Sequence, residues 1–173
     1  MATAKTGSFY LTETVLLPTA TASGGRVVGT IDLGAYVNVA TGQAIAIDSV
    51  DFVTQIGTDF GGTISQVSAA DSSLGTQLVD LNPGTEFVRA DNQSLIASHR
   101  IDIDVGGNQA TYAQDMFPDN YGSAGTLSEM FMVVNDTLYL TVGNDGAAIG
   151  SASVNCTVRI RARVVKLGSE DWM

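Results

Sequence analysis

Few residues in this chain could do chemistry. His99 is the single histidine and Cys156 the single cysteine in 173 residues. A nucleophilic hydrolase sets a Ser or Cys beside a base, most often His, and a zinc site needs several His or Cys ligands. His99 lies beside Arg100 within an apolar-polar alternation. Cys156 falls on the apolar parity of another such alternation, so both read as structural, with Cys156 a buried and inert thiol. A lone cysteine also rules out an internal disulfide. Carboxylate pairs are present: Asp102 and Asp104 two apart, Asp48 and Asp51 three apart, and Asp119 in a loop rich in aromatics. Glycosidase chemistry asks for two carboxyls about 5–9.5 Å apart, but 18 acids produce such neighbours by chance. Calcium would be the best-suited metal. "DIDVGGN" offers Asp102, Asp104 and Asn108, and "GNDG" offers Asn144 and Asp145. Neither follows the EF-hand spacing, and Asp and Asn beside Gly are ordinary turn formers. Phosphate-binding glycine loops are missing. No catalytic, cofactor-binding or metal residue is therefore assigned, and the chain reads as a non-enzyme.

The strongest local pattern is "SVNCTVRIRARVVKL", residues 153–167. Val154, Cys156, Val158, Ile160, Ala162 and Val164 share one parity; Asn155, Thr157, Arg159, Arg161 and Arg163 share the other. Side chains alternate across a strand, so this is one long strand with an apolar and a basic face. Arg159, Arg161, Arg163 and Lys166 are half of the eight Lys and Arg in the chain. A net charge of −10 and a pI near 4.2 argue against a nucleic-acid strip, since phosphate binding draws on Lys and Arg. The same balance opposes broad adhesion to anionic membranes. Two readings of the row remain. It pairs with acids on a neighbouring strand, for example Asp102 and Asp104, or it meets the acidic surface of another subunit.

The elements that hold these residues are strands. Strand patterns run over 8–17, 25–39, 43–57, 62–69, 75–81, 85–90, 94–105, 129–135, 137–143 and 151–166. Gly29 and Gly34 mark bends or bulges in the second. The apolar parity switches between Ile47 and Val50, which predicts a bulge near Asp48–Ser49. Turn residues separate the runs at Asn82-Pro83-Gly84, Asp91-Asn92, Gly106-Gly107-Asn108 and Gly143-Asn144-Asp145-Gly146. The last predicts a hairpin-like pairing of 137–143 with 151–166. The best helix candidates, 67–74 and 108–116, lack a sustained 3.6 period. Residues 107–125 form the longest stretch without a strand pattern, and its Tyr112, Met116, Phe117 and Tyr121 predict an ordered loop. About ten strands with Gly-rich turns predict an all-β protein, an antiparallel β-sandwich forming a single jelly roll of about eight to ten strands.

The chain reads as one domain over 1–173, with a short N-terminal arm (1–7) and a C-terminal tail (168–173). Charged residues are 15%, against roughly 25% in ordinary soluble domains, and mean hydropathy is +0.19. Charge depletion suits a surface hidden in an assembly. The tail holds the only tryptophan, Trp172, followed by Met173, types enriched at interfaces. Arg159, Arg161, Arg163, Trp172 and Met173 are thus the candidate subunit-interface residues. No apolar run is long enough to span a membrane as a helix. "TVLLPTATASGG" mimics a cleaved signal only in part, because Glu13 interrupts the preceding stretch. The Asn-x-Ser/Thr sites at Asn92, Asn135 and Asn155 matter only on a eukaryotic secretory route.

The strand-rich chain of about this length, low charge, acidic balance, single cysteine and short termini together resemble the small single jelly-roll capsid proteins of tail-less icosahedral viruses. The likeness is above all to the paired capsid proteins of internal-membrane viruses of archaea and thermophilic bacteria. That resemblance implies a virion protein of the capsid, assembling with itself or with a second capsid protein, near an internal viral membrane, without direct nucleic-acid contact, cofactor or catalysis. The competing reading is a carbohydrate-binding or adhesin-type β-sandwich, with the 112–121 aromatics around a groove.

Overall fold

The computed structural model describes residues 3–57, 63–112 and 131–168. Its strands are β1 (Thr3–Ala4), β2 (Phe9–Leu17), β3 (Arg26–Asp32), β4 (Gln43–Ile56), β5 (Ser72–Val79), β6 (Leu95–Asp104), β7 (Gln109–Tyr112), β8 (Phe131–Val133), β9 (Thr137–Asp145) and β10 (Val154–Lys166). A single helical turn, α1 (Ile64–Val67), precedes β5.

The strands form two five-stranded antiparallel sheets. In the first, β10 lies between β4 and β2, β8 borders β4, and β1 continues beside β10 past β2. The second runs β3-β9-β5-β6-β7. The pairings nest: β2 with β10, β3 with β9, β4 with β8, β5 with β6. One long antiparallel ribbon has been folded over itself so that its legs alternate between sheets. That nesting is the jelly-roll topology, built from eight principal strands with β1 and β7 added at the margins.

β10 forms where β-branched residues coincide with strict alternation. Cys156, Val158, Ile160 and Ala162 are all at most 1% exposed. They pack with Leu78, Leu138, Leu140 and Val142 of the second sheet in one core cluster. Each fully buried aliphatic side chain of this kind is worth roughly 1.5–3 kcal/mol. Cys156 sits among them, its Sγ 3.3 Å from Thr76 Oγ1. Burial raises the thiol above its ordinary pKa, and bonds from Thr76 and Thr54 oppose that rise. His99 is buried too, tilted against the Phe52 ring at 5.8 Å.

The predicted bulge is present. In the β4–β10 ladder Arg161 pairs with Ser49 and Ala162 with Ile47, which leaves Asp48 as the extra residue. Several local expectations are overturned. Of the expected strand 62–69, the described residues 63–69 do not make one: Gln66 Oε1 accepts from the Thr63 amide at 3.0 Å and closes the turn of α1. Residues 85–90 are a loop, because the Gln77 side chain bonds both the N–H and the C=O of Val88, each at 2.8 Å, in place of a strand partner. Of the helix candidate 108–116, Gln109–Tyr112 is strand, entered by a tight turn with Asn108 at φ 53°, and 113–116 lie outside the described residues. The candidate 67–74 contains the start of β5. β9 and β10 are not a hairpin: they lie in opposite sheets. Their connection is pinned by Asn144, whose Nδ2 donates to the carbonyls of Thr21 and Ala147 at 3.1 and 2.9 Å. Gly29 marks no bulge; a Cβ there would meet Val15 Cγ2 at 2.6 Å, so the glycine lets β3 run close to β2.

Candidate functional site: the outer face of the first sheet

Because β10 has strands on both sides, its polar parity forms the middle row of an outward sheet face. Register places Thr157 beside Thr14 and Val53, Arg159 beside Thr12 and Asp51, and Arg161 beside Tyr10 and Ser49. The Thr14 and Thr157 hydroxyls hydrogen-bond at 2.8 Å. Arg159 is exposed, with its guanidinium over the Tyr10 ring at 5.1 Å. Tyr10, Leu16 and Val53 are among the most exposed large apolar side chains.

The arginines differ sharply in what they touch. Arg161 donates from Nε to Asp48 Oδ1 at 2.8 Å, and Arg163 Nη2 lies 3.9 Å from Asp48 Oδ2. Asp48 is 4% exposed, so the bulge has turned a carboxylate inward beneath two cations. The Asp48 hydrogen bond and charge push the Arg161 pKa up. Arg163 also donates to Ser8 Oγ at 3.2 Å. The carboxylate that answers this row is thus Asp48 of β4, not Asp102 or Asp104. Those two lie on β6 in the other sheet, where Asp102 pairs with Arg100 at 3.1 Å and Asp104 Oδ1 caps the amide of Gly107. Beyond Arg163 the same face turns apolar and buried: Ala44, Ala46, Val165 and Leu167 form a second small cluster with Met132 and Val134.

Asp48 was signalled in the sequence by the parity switch, which places an acid at the bulge. The switch alone does not say which strand lies alongside. Trp172 and Met173 lie outside the described residues, as do Met116, Phe117 and Tyr121 of the aromatic loop. The other acids considered for metal binding have protein partners. Asp145 takes a two-pronged contact from Arg26 Nη2 at 2.9 and 3.1 Å. Among the described residues no group of three or more His, Cys, Asp or Glu could hold a metal ion. The three Asn-x-Ser/Thr amides have structural bonds: Asn92 Oδ1 accepts from Ser94, Asn135 donates to the Asp80 carbonyl, and Asn155 donates to that of Gly57.

No family model and no curated protein matches the chain. Solved structures similar to it include three from viruses. VP1 of Merkel cell polyomavirus, in complex with GD1a oligosaccharide, is 13% identical with a TM-score of 0.43, over 95% of this chain and 98% of that one. A structure of Desmodium yellow mottle tymovirus is 8% identical with a TM-score of 0.27, over 96% of this chain and 94% of that one. A structure of turnip yellow mosaic virus is 8% identical with a TM-score of 0.28, over 95% and 99%. The fold assignment stands on the nested strand pairing of this chain.

Proposed function

We propose that the protein is a virion structural protein, a capsid protein that assembles with itself or with a second capsid protein into an icosahedral shell. The observation that carries this reading is the outer face of the first sheet. It is broad and regular, and it presents Tyr10, Leu16, Val53, Thr12, Thr14 and the cross-strand neighbours Arg159 and Asp51 to solvent. A face with exposed aromatic and aliphatic side chains and arginine suits contact between subunits. Arg161 and Arg163 already serve Asp48, so Arg159 is the cation of the row that this reading assigns to a neighbouring subunit. Its guanidinium is held over Tyr10, ready for an acidic surface.

The reading also places the protein in the capsid, near an internal membrane and away from the genome. The net charge of −10 supports the last point. Light scattering and electron microscopy of the native protein, alone and mixed with a companion capsid protein, test the proposal. Rings, sheets or shells are expected, and Arg159→Glu should abolish them while leaving the melting temperature of the subunit unchanged. A protein that stays monomeric under every condition and binds neutral glycans in an array would replace the capsid reading with the carbohydrate-binding one.

A further inference from the structure

β2 is an edge of the first sheet. It pairs with β10 on one side, and among the described residues no strand pairs with its other side. Alternate residues of Phe9–Leu17 therefore turn their N–H and C=O groups toward the next strand position. The sequence of this strand, FYLTETVLL, has high β propensity and neither proline nor glycine, which is the composition that invites a further strand. Glu13 is its single charge. Tyr10, Thr12, Thr14 and Leu16 are exposed on the outward parity, and Phe9, Leu11, Glu13, Val15 and Leu17 share the inward one. Glu13 thus stands in an apolar row. It pairs across the ladder with Val158, which is 0% exposed, and Val15 and Leu17 of its own row are buried. Gly29 of β3 lies across the gap between the sheets, where a Cβ would come within 3.5 Å of Glu13 Cγ and 3.8 Å of Oε1. Glu13 is itself partly buried, and it makes no hydrogen bond or ion pair among the described residues.

A carboxylate flanked by Val158 and Gly29 keeps its water by reaching around the open edge. A strand laid along β2 would close that way out and leave the ion without a partner, so the cost of a buried unpaired charge opposes the gain from the new hydrogen bonds. A second copy of the chain does not escape this. In any antiparallel pairing of β2 with β2 that keeps both apolar rows on one side, Glu13 comes opposite Glu13 or opposite Phe9, Leu11, Val15 or Leu17 of the other copy. The first choice sets like charges together, and the others set a carboxylate among apolar side chains. We propose that Glu13 closes the β2 edge to strand addition by a second copy of this chain. One ionised side chain guards an otherwise adhesive edge, which in an assembling protein leaves the outer face of the first sheet for contact between subunits. The edge is closed in this way whether or not the subunits build a shell.

The test compares the full chain with Glu13→Val, Glu13→Lys and Glu86→Gln, starting from a dilution at which the unmutated protein is monomeric by light scattering. Glu86 is exposed, so its variant matches the net charge of Glu13→Val without touching the edge. Glu13→Val is expected to self-associate at least about tenfold more tightly than the unmutated chain. In its associated form the β2 amides that β10 leaves unbonded should exchange their hydrogens at least about tenfold more slowly. Glu13→Lys keeps a charge in the row and Glu86→Gln keeps the guard, so both should stay as monomeric as the unmutated chain. Glu13→Thr replaces Glu13→Val if that variant does not fold. A neutral variant at position 13 that remains monomeric overturns the proposal. So does association that leaves the β2 amides exchanging freely, or equal association of Glu86→Gln or Glu13→Lys. If Glu13→Val pairs through β2 and the unmutated chain never forms particles, the assembly reading fails alone. If particles form and Glu13→Val behaves as the unmutated chain, the edge closure fails alone.

Discussion

Replacing Ile160 by alanine probes the alternation on which both faces of β10 depend. Ile160 is 0% exposed and lies between the sheets, one residue from the exposed Arg159 and one from Arg161. Removing the branched side chain forfeits its transfer free energy and leaves a cavity walled by β-strands bonded on both sides, which have little freedom to close in. Costs for such truncations run about 2–5 kcal/mol, and the rigid surroundings place this one at about 3–4. For a chain of this size each kcal/mol lowers the melting temperature by about 2–4 °C, so a fall of roughly 6–16 °C is expected. Arg159→Ala, the adjacent position on the other face, should change stability by no more than about 0.5 kcal/mol. Urea unfolding followed by circular dichroism, with equal m-values for the three proteins, measures both quantities. A one-residue slip of β10 would invert every side chain. If Arg159→Ala proves the costlier change, or if Ile160→Ala costs less than about 1 kcal/mol, the register is wrong and the assigned outer face falls with it.

The Asp48 pair makes an ordered prediction. Arg161→Ala leaves a buried carboxylate short of its main hydrogen-bond donor and should lower the melting temperature more than Asp48→Asn, while the double variant Arg161→Ala/Asp48→Asn should recover part of that loss; additive losses would contradict the pairing. Cys156 is buried and its thiol is pushed up by desolvation, so native protein should be inert to Ellman's reagent and release one equivalent on unfolding. Burial raises the Asp80 carboxyl above its ordinary 3.8, with its own backbone N–H opposing. A raised acid is harder to ionise in the folded state, so that cost is absent below 3.8, where both states hold the proton, and complete above the folded-state pKa. Asp80→Asn should therefore stabilise the protein at neutral pH, and the gain over the unmutated chain should vanish on acidification below that value; a gain independent of pH would point to another cause.

Alternation and turn chemistry were enough to read off much of this protein from its residues alone. The period of two in β10 assigned Cys156, Val158 and Ile160 to the core and Arg159 and Arg161 to the surface. The parity switch after Ile47 located the bulge. Gly-rich and Asx-rich turns set the number of strands within narrow bounds, hence the all-β sandwich. These are local constraints, imposed by the stereochemistry of a few consecutive residues. Strand partners, by contrast, emerged only on folding. Nothing within 153–167 says that β2 and β4 flank it, so Asp48 rather than Asp102 receives the arginines, and β9, adjacent in sequence, lies in the opposite sheet. The same holds for Thr63–Val67 and 85–90, whose composition allows a strand. The Thr63–Gln66 cap and the Gln77–Val88 bonds supply other partners for their backbone. Gly75, Gly143, Phe87 and Arg26 converge from β5, β9, a loop and β3, a meeting created by folding the ribbon over itself. Side-chain period is written residue by residue, whereas strand pairing is a choice among distant segments, settled by the packing of the whole core.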